Sequence, residues 1–222
     1  MKAVLSVSGG VDSSTLLYKT VKEGYETHAL TFIYGQKHKK EIESAKIICN
    51  GLNVIHKVIE LQALKKIFFG SALTDSSIEV PEVPETTEYY ETLATTIVPN
   101  RNSIFLSIAV GYAVSIKASH VFFGAHLSDR GVYPDCRREF VKAFEQAERL
   151  ATDNEHLVIT APFVDMNKSQ IVKLGIELGV PYGVTWSCYK GGKIHCGVCS
   201  SCRERKRAFE ESSAFDATEY ER

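Results

Sequence analysis

The residues most suited to chemistry lie between positions 8 and 14, where the sequence reads Ser-Gly-Gly-Val-Asp-Ser-Ser. An apolar run precedes them and apolar residues at helical spacing follow, so the pattern predicts a strand, a short loop and a helix. Gly9 and Gly10 leave room for an anion to approach the backbone, and the first N–H groups of a helix have no intrahelical partner. The loop is therefore predicted to bind phosphate or pyrophosphate. The predicted contacts are Ser8, Gly9, Gly10, Val11, Asp12, Ser13, Ser14 and Thr15.

Four cysteines near the end of the chain form a second set of candidate residues: Cys188, Cys196, Cys199 and Cys202. Two overlapping Cys-x-x-Cys pairs follow one outlying cysteine, a spacing that favours a tetrahedral thiolate site for zinc or an iron–sulfur cluster. We expect Zn²⁺, because the proline-tagged fourth cysteine of bacterial ferredoxins is missing. A redox dithiol would explain only two of the four residues. We expect His195 to be a neighbour of the site rather than a ligand.

Strand-like and helix-like segments alternate along the chain and must position these two sets of residues. Strands are predicted at residues 2–7, 27–34, 53–61, 120–125 and 157–162, and helices at 13–23, 38–50, 102–117, 135–152 and 168–178. This alternation predicts an α/β fold, a Rossmann-like doubly wound parallel sheet with helices on both faces. Ligands of such sheets bind at the carboxyl ends of the strands, where the loop at residues 8–14 falls.

The length of 222 residues allows one full core with a small appendage. We expect a nucleotide-binding domain at 1–184, followed by a zinc-binding segment and C-terminal helix at 185–222. Residues 70–100 carry three prolines and little periodicity, so they form either a linker or, as we expect, a lid or binding loop.

The composition is that of a globular protein, with 44% hydrophobic and 24% charged residues. The formal net charge of -1 argues against a broad basic surface for nucleic acid. No apolar run reaches the length of a membrane span. We therefore expect a cytoplasmic protein with reduced cysteines and no membrane partner. The basic residues that begin at Arg203 could contact RNA, but we expect them to form a solvated helix face or to meet a partner subunit.

The first loop resembles the PP-loop of the ATP pyrophosphatases, which split ATP between its α and β phosphates. Further segments make the resemblance narrower: Thr-Phe-Ile-Tyr-Gly-Gln-Lys-His at 31–38, Val-Pro-Asn-Arg-Asn at 98–102, Tyr-Pro-Asp-Cys-Arg at 133–137, and Thr-Trp-Ser-Cys-Tyr at 185–189. Together with the cysteines, they span nearly the whole chain and resemble the 7-cyano-7-deazaguanine synthase family. One departure is that Asp129-Arg130-Gly131-Val132 precedes Tyr133 where a Ser-Gly pair is usual.

The resemblance implies an adenine nucleotide alpha hydrolase-like fold and an ATP-dependent ligase of queuosine and archaeosine precursor synthesis. ATP would adenylate 7-carboxy-7-deazaguanine, ammonia would give the amide, and a second ATP would allow dehydration to the nitrile. It also implies a homodimer. No glutaminase domain is present, so free ammonia is the expected nitrogen source.

Roles for single residues follow from the same resemblance. The predicted catalytic residues are Asp12, Lys168 and Arg101. Asp12 would orient the loop or help to hold Mg²⁺, or would only cap the helix. Lys168 would reach the phosphates, and Arg101 would pair with a phosphate or the substrate carboxylate.

The remaining predicted substrate contacts are Tyr34, Gln36, His38 and Asp135. The first three lie at the end of the second strand, where a ligand of the sheet would lie. Asp135 would accept the guanine-like N–H edge, or would only form a turn and helix cap. Two other functions remain open: another PP-loop adenylating enzyme, such as a tRNA-thiolating enzyme, and a non-enzymatic zinc-ribbon module that binds RNA.

Overall fold

The computed structural model describes residues 1–84 and 93–222. In these two ranges strands and helices alternate along the chain. The strands are β1 Lys2–Ser6, β2 Glu26–Ile33, β3 Ile55–Glu60, β4 His120–Phe122 and β5 Val158–Thr160. The α-helices are α1 Val11–Lys22, α2 Lys40–Gly51, α3 Arg101–Ser115, α4 Arg138–Thr152, α5 Lys168–Glu177 and α6 Ser200–Glu211. None of the helices in these ranges has the length and apolar character of a membrane span.

The strands form one parallel sheet in the order β3-β2-β1-β4-β5. Val4 in the centre of β1 pairs with His28 of β2 on one side and with Val121 of β4 on the other. The chain therefore moves outward from β1 to β3 and then returns to the opposite side of β1. This reversal makes the ends of β1 and β4 a topological switch point, the usual ligand site of such sheets.

Helices cover both faces of the sheet, which confirms the predicted doubly wound α/β fold. Successive strand residues point to opposite faces. Val4 packs with α3 and α4 residues such as Leu106 and Val141, whereas Leu5 packs with residues of α1, α2 and α5, including Leu16 and Ile171. The two apolar layers hold the strand ends in place on both sides of the switch point.

Some element boundaries differ from the sequence-based expectation. Strands β4 and β5 have three residues each, because the chain leaves the ladder earlier than their apolar runs suggested. Helix α4 begins at Arg138 rather than at residue 135. The reason is that Pro134–Cys136 forms a separate 3₁₀ turn, and the extended backbone of Arg137 ends that turn before α4 begins.

The C-terminal helix α6 packs against α5 and the start of α1. Its residues Ala208 and Phe209 contact an apolar cluster that contains Val11 and Val172. Arg205 of α6 is 0% exposed and donates to both carboxylate oxygens of Asp216, at 3.0 and 2.9 Å. The expectation of a solvated basic face is therefore wrong for Arg205, which is a buried structural cation.

The irregular segment predicted at residues 70–100 lies partly outside the described residues, which omit 85–92. Before that gap, the chain runs beside the cysteine-rich loop, where Val83 N donates to Val198 O at 2.8 Å. Ala72 and Val80 share a buried cluster with the cysteines. The described part of this segment therefore covers the cysteine-rich loop.

Candidate active site

The glycine-rich loop lies at the carboxyl end of β1, directly before α1. Gly9 has a φ of +87°, and a Cβ at this position would lie 2.3 Å from Glu41 O and 2.6 Å from Ala45 N of α2. Only glycine fits this close approach. The first turn of α1 has no side-chain cap, so its N–H groups remain available to an anion at the positive end of the helix dipole.

Part of this loop faces a cleft of about 740 Å³. The loop residues that line the cleft are Ser8, Gly10, Val11, Asp12 and Ser13. The hydroxyls of Ser8 and Ser13 lie 3.0 Å apart, and Ser13 Oγ also accepts from Ser8 N at 3.1 Å. These contacts hold the loop in a turned conformation with its hydroxyls at the cleft wall.

Three of the eight residues predicted in this loop do not line the cleft. Gly9 lies against α2, and its carbonyl accepts from Trp186 N at 3.0 Å. Ser14 is fully buried. Thr15 donates to Val11 O at 2.8 Å and lies 2.7 Å from the hydroxyl of Tyr182, because its position on α1 faces Gly175 of α5 and the turn that follows that helix. The structure therefore does not bring Ser14 or Thr15 to a ligand in this cleft.

A cluster of charged side chains lies beside the loop. Lys168, at the first position of α5, places its Nζ 3.1 Å from Asp12 Oδ2 and 2.7 Å from Glu204 Oε2. The Lys168 side chain is 11% exposed. Burial disfavours its charge, but Asp12 and Glu204 outweigh that cost and raise the pKa of Lys168. The structure thus brings two predicted residues, Asp12 and Lys168, together with Glu204, which was not predicted from the sequence.

His126 and Asp129 complete this cluster from the chain after β4. His126 Nε2 lies 3.6 Å from Asp129 Oδ2, 3.8 Å from Asp12 Oδ2 and 4.0 Å from Glu204 Oε1. Burial raises the pKa of Asp129 and so opposes its ionisation, an effect that exceeds the stabilisation by His126. Both residues line the cleft. Their position directly after the strand predicted at residues 120–125, at the end of a parallel strand where ligands bind, is the one signal in the sequence that points to them.

Arg101 opens α3 at the other side of the cleft. Its guanidinium lies 3.4 Å from the hydroxyl of Tyr34 and 5.8 Å from the centre of that ring. Tyr133 and Tyr189 line the same part of the cleft. Burial is the main cause that raises the pKa of all three tyrosines. Within residues 1–84 and 93–222 no carboxylate forms an ion pair with Arg101, so its charge is available to an anionic ligand.

Asp135 holds the start of α3 and does not line the cleft. Its carboxylate accepts from Asn102 N at 2.9 Å and from Asn102 Nδ2 at 3.2 Å. Asn100, directly before α3, has left-handed backbone with a φ of 55°. Asp135 thus satisfies a free N–H at the start of α3, where such a group has no helical partner. The structure does not place it as a contact of a base in the cleft.

Of the three predicted substrate contacts after β2, two line the cleft and one does not. Tyr34 and His38 line the cleft, and His38 Nε2 lies 3.2 Å from Glu41 Oε2. Gln36 is buried, accepts from Tyr34 N at 2.8 Å and donates to Phe32 O at 2.9 Å. Its amide therefore shapes the turn after β2 instead of reaching the cleft.

The four predicted metal ligands come together as one buried group. Sulfur atoms of Cys188, Cys196, Cys199 and Cys202 lie within 4.8 Å of one another. Cys196 N points to Cys188 Sγ at 3.4 Å and Cys199 N to Cys196 Sγ at 3.3 Å. Hydrogen bonding from Cys199 is the main cause that lowers the pKa of Cys196. This set of four soft donors fits a closed, structural zinc site.

His195 lies beside the cysteines but outside the ligand group. Its Nε2 accepts from Ser187 N at 3.0 Å, and its ring lies 4.2 Å from that of Trp186. Burial lowers the pKa of His195 to about 4. The imidazole therefore supports the loop in its neutral form.

The cysteine-rich segment also builds one wall of the cleft. Helix α6 begins directly after Cys199 and carries Glu204 and Arg207 to the cleft, and Tyr189 follows Cys188. Sequence reasoning missed Glu204 because it lies among basic residues that were expected to be solvated. The alternating charge at 203–205 is the only local signal of its different environment.

Solved structures share this fold. NMN synthetase from Francisella tularensis matches with a TM-score of 0.53 at 18% identity, over 96% of this chain and 78% of that one. A 4-thiouridine synthetase in complex with RNA and bound ATP matches with the same TM-score of 0.53 at 18% identity, over 96% of this chain and 50% of that one. At this identity the likeness concerns the fold alone.

Closer relatives are found among curated sequences. A 7-cyano-7-deazaguanine synthase from Caldicellulosiruptor saccharolyticus is 48% identical over 223 aligned residues, which cover 100% of this chain and 96% of the relative. One from Archaeoglobus fulgidus is 52% identical, over 94% of this chain and 86% of the relative. The family model described as queuosine biosynthesis protein QueC matches residues 2–213. The chain therefore belongs to the QueC family of queuosine biosynthesis enzymes.

Proposed function

We propose that this enzyme converts 7-carboxy-7-deazaguanine and ammonia to 7-cyano-7-deazaguanine with ATP, through an adenylated carboxylate and an amide. The product would serve as precursor of queuosine or archaeosine. The observation that carries the proposal is the shared cleft. It joins an anion-binding loop at Ser8–Ser13 with the guanidinium of Arg101, which lies among aromatic side chains and has no carboxylate partner within the described residues.

ATP would bind with its phosphates at the loop. The free N–H groups at the start of α1 and the hydroxyls of Ser8 and Ser13 are suited to the leaving pyrophosphate. Lys168 would add a positive charge once a phosphate competes with Asp12 and Glu204 for its ammonium group. The cleavage of ATP between its α and β phosphates would then take place at the carboxyl end of β1.

Mg²⁺ fits the same subsite. Asp12 Oδ1 is buried and has no hydrogen-bond partner within the described residues, as expected of a carboxylate oxygen kept for a cation. Mg²⁺ usually binds through one or two carboxylates together with substrate phosphates. Asp12 would hold the ion, which would neutralise charge on the phosphates.

The deazapurine would bind at the Arg101 side of the cleft. A guanidinium pairs with a carboxylate in a forked geometry, and Tyr34, Tyr133 and Tyr189 provide aromatic surface for a flat base. With the carboxylate on Arg101 and ATP on the loop, the reacting atoms would meet between the two subsites. The carboxylate oxygen would attack the α phosphorus, and pyrophosphate would leave.

Zn²⁺ would be held by the four cysteines and would supply a structural cross-link rather than chemistry, because four thiolates leave no open position.

We propose that the chain is organised as a nucleotide-binding domain at 1–184 and a zinc-binding segment at 185–222, which packs as one wall of the cleft. We also propose a homodimer, as the resemblance implies, and no role for nucleic acid. Sedimentation analysis would test the homodimer.

Turnover by the purified protein tests the function. The protein receives 7-carboxy-7-deazaguanine, ammonium, Mg²⁺ and ATP, and mass spectrometry follows bases and nucleotides. Nitrile together with AMP and pyrophosphate is the expected result. ATP binding with an unchanged base would overturn the substrate assignment. Absence of ATP binding would overturn the enzymatic role of the loop and favour a zinc-ribbon module.

A further inference from the structure

We propose that Glu41 is the residue that selects the base, because its carboxylate accepts hydrogen bonds from the N1–H and 2-amino groups of 7-carboxy-7-deazaguanine. The inference rests on the proposed function and deepens it. Sequence reasoning assigned this N–H edge to Asp135, which does not line the cleft. Glu41 is the second residue of α2 and does line it. Its side chain is 14% exposed.

A short series of hydrogen bonds connects Glu41 with Arg101. Arg101 Nη1 donates to the Tyr34 hydroxyl at 3.4 Å, and Tyr34 N donates to Gln36 Oε1 at 2.8 Å. Gln36 Nε2 in turn donates to Glu41 Oε1 at 3.0 Å. Burial is the main cause that raises the pKa of Tyr34, and beyond burial Arg101 lowers this pKa whereas Glu41 raises it. The two opposite charges therefore act on one phenol from the two ends of the series.

His38 and Tyr189 form a second connection between the same two charges. Glu41 Oε2 lies 3.2 Å from His38 Nε2, and the centre of the His38 ring lies 5.5 Å from that of Tyr189. Burial raises the pKa of Tyr189, and the charge of Arg101 opposes that rise. Aromatic side chains thus lie along both connections and provide surface for a flat ring.

The charges of Glu41 and Arg101 are complementary to the two edges of the base. Among the residues that the structure describes, Glu41 forms no ion pair with a lysine or arginine, and Arg101 forms none with a carboxylate. A charge that is largely buried requires a partner or hydrogen bonds. The base carries a carboxylate on its five-membered ring and N–H donors on its six-membered ring. One ligand would therefore satisfy both groups.

Glu41 has acceptor capacity left for these donors. A carboxylate has about four lone-pair sites, and one donor from the protein lies at each oxygen, Gln36 Nε2 and His38 Nε2. Because a carboxylate only accepts, the hydrogen of His38 lies on Nε2 and Nδ1 is a bare acceptor. Nδ1 is buried and has no hydrogen-bond partner within the described residues. Acceptors therefore exceed donors in this part of the cleft.

This excess of acceptors fits a guanine-like edge better than adenine. The guanine-like ring presents N1–H beside its 2-amino group, so both oxygens of one carboxylate receive a donor. Adenine presents its amino group beside N1, which is itself an acceptor. The lone pairs of Glu41 and of N1 would then face each other without a hydrogen. The same carboxylate that binds the deazapurine would thus disfavour the base of ATP.

The other carboxylates that line the described cleft are less suited to this role. Asp12 and Glu204 share one ammonium group, at 3.1 and 2.7 Å. Asp129 accepts from a backbone N–H at 3.0 Å. Glu211 is exposed at the last position of α6. Glu41 alone of these five combines burial with a connection to the guanidinium that is proposed to bind the substrate carboxylate.

The test compares 7-carboxy-7-deazaguanine with its analogue that lacks the 2-amino group. The variant is Glu41→Gln, and the exposed Glu43→Gln on the same helix is the matched control. We expect the starting enzyme to prefer the true substrate by about 10- to 100-fold in kcat/KM, as for one hydrogen bond to a charged group. In Glu41→Gln the KM for the true substrate should rise by a similar factor, and the preference should fall to within about threefold. Glu43→Gln should change neither.

A structural role for Glu41 predicts a different result. Equal losses with both bases, at an unchanged preference, would overturn the proposal. So would a rise in the KM for ATP at an unchanged preference, which would assign Glu41 to adenine. Glu41→Asp keeps a charged acceptor and should retain more of the preference than Glu41→Gln does. An equal loss of preference in these two variants would contradict the proposal.

Calorimetry with the two bases in the absence of ATP separates this inference from the proposed function. A starting enzyme that binds 7-carboxy-7-deazaguanine with the expected preference but forms no nitrile would overturn the proposed reaction and support the base selection. Equal affinity for the two bases would overturn the base selection by Glu41. A starting enzyme that binds neither base would overturn both.

Discussion

Lys168 and Glu204 form an ion pair of 2.7 Å between Nζ and Oε2 at the wall of the cleft. Lys168 begins α5, whereas Glu204 lies on α6, which starts directly after Cys199. The same ammonium group lies 3.1 Å from Asp12 beside the glycine-rich loop. The cysteine-rich segment and the nucleotide-binding segment therefore meet in one charged cluster, and each provides part of the site.

Glu204→Gln should weaken catalysis without unfolding the protein. The substitution keeps the shape of the side chain but leaves Lys168 paired with Asp12 alone, which draws Asp12 away from the cation that it is proposed to hold. We expect the KM for ATP with Mg²⁺ to rise by roughly tenfold, as for the loss of a buried charge-assisted contact. Glu210→Gln on the exposed side of the same helix is the control. Steady-state kinetics would contradict the role if both variants behaved alike.

The glycine-rich loop can be tested by adding a single methyl group. Gly9→Ala should bring its Cβ to about the 2.3 Å contact with Glu41 O and displace the loop. Gly24 has a similar φ of +83°, but a Cβ there meets nothing within 4 Å, so Gly24→Ala isolates the backbone strain, roughly 1–2 kcal/mol. Both variants should unfold at lower temperature. Calorimetry with ATP should show lost binding for Gly9→Ala alone, and equal ATP affinity in the two would disprove the steric argument.

The fold and the two motifs were predictable because their signals are local. Alternating periodicity predicted five strands of a parallel sheet, though not their order in the sheet. The loop motif placed Asp12 and Ser13 at a helix start, and spacing alone grouped the cysteines. His126 and Glu204 were not predictable in the same way. They meet only because β4 adjoins β1 and α6 folds back, contacts that join residues far apart in the chain.

Polar side chains that support the backbone were also hard to separate from ligand contacts. Gln36 and Asp135 lie in segments that carry the family resemblance, yet their side chains hold the turn after β2 and the start of α3. A residue that supports the backbone and a residue that contacts a ligand can both be polar and can both lie near the site. Only the hydrogen-bond partners decide between them, and these partners are set by tertiary packing.

Arg101→Lys should impair use of the deazapurine more than use of ATP. Lysine keeps the charge but loses the forked donor geometry that matches a carboxylate. We expect the KM for 7-carboxy-7-deazaguanine to rise by about tenfold or more, with little change in the KM for ATP. Arg138→Lys, on the exposed start of α4, should leave both unchanged. A rise in the KM for ATP alone would instead assign Arg101 to the phosphates.

Loss of zinc should disturb the cleft, because α6 begins at the cysteine site and carries Glu204 to the cleft wall. Cys199→Ser removes one of four thiols and should reduce bound zinc, measured by elemental analysis, from about one ion per chain to a small fraction. Amide hydrogen exchange should then increase over residues 188–204, including the part of α6 that carries Glu204. Cys49→Ala is the control, because Cys49 lies in a separate apolar cluster and burial raises the pKa of its thiol to about 12. Retention of zinc by Cys199→Ser would refute the four-cysteine site.

The buried pair of Arg205 and Asp216 should dominate the acid sensitivity of the C-terminal segment. Burial opposes the charge of Asp216, but hydrogen bonds from Arg205 outweigh it and lower the pKa of that carboxyl. Because the folded pKa lies below the unfolded value of about 3.9, the stabilisation is present above that value and is lost as the pH falls through the folded pKa.

Asp216→Asn should therefore lower the free energy of unfolding by about 3–5 kcal/mol at neutral pH, since it leaves a buried guanidinium without its counter-charge. Near pH 3, about one unit below the unfolded value, the difference from the starting protein should become smaller. Asp153→Asn is the control: Asp153 is exposed with a φ of 48°, which asparagine adopts equally well. Urea unfolding at both pH values provides the measurement. A difference that stays constant with pH would show that the carboxylate charge of Asp216 is not what stabilises Arg205.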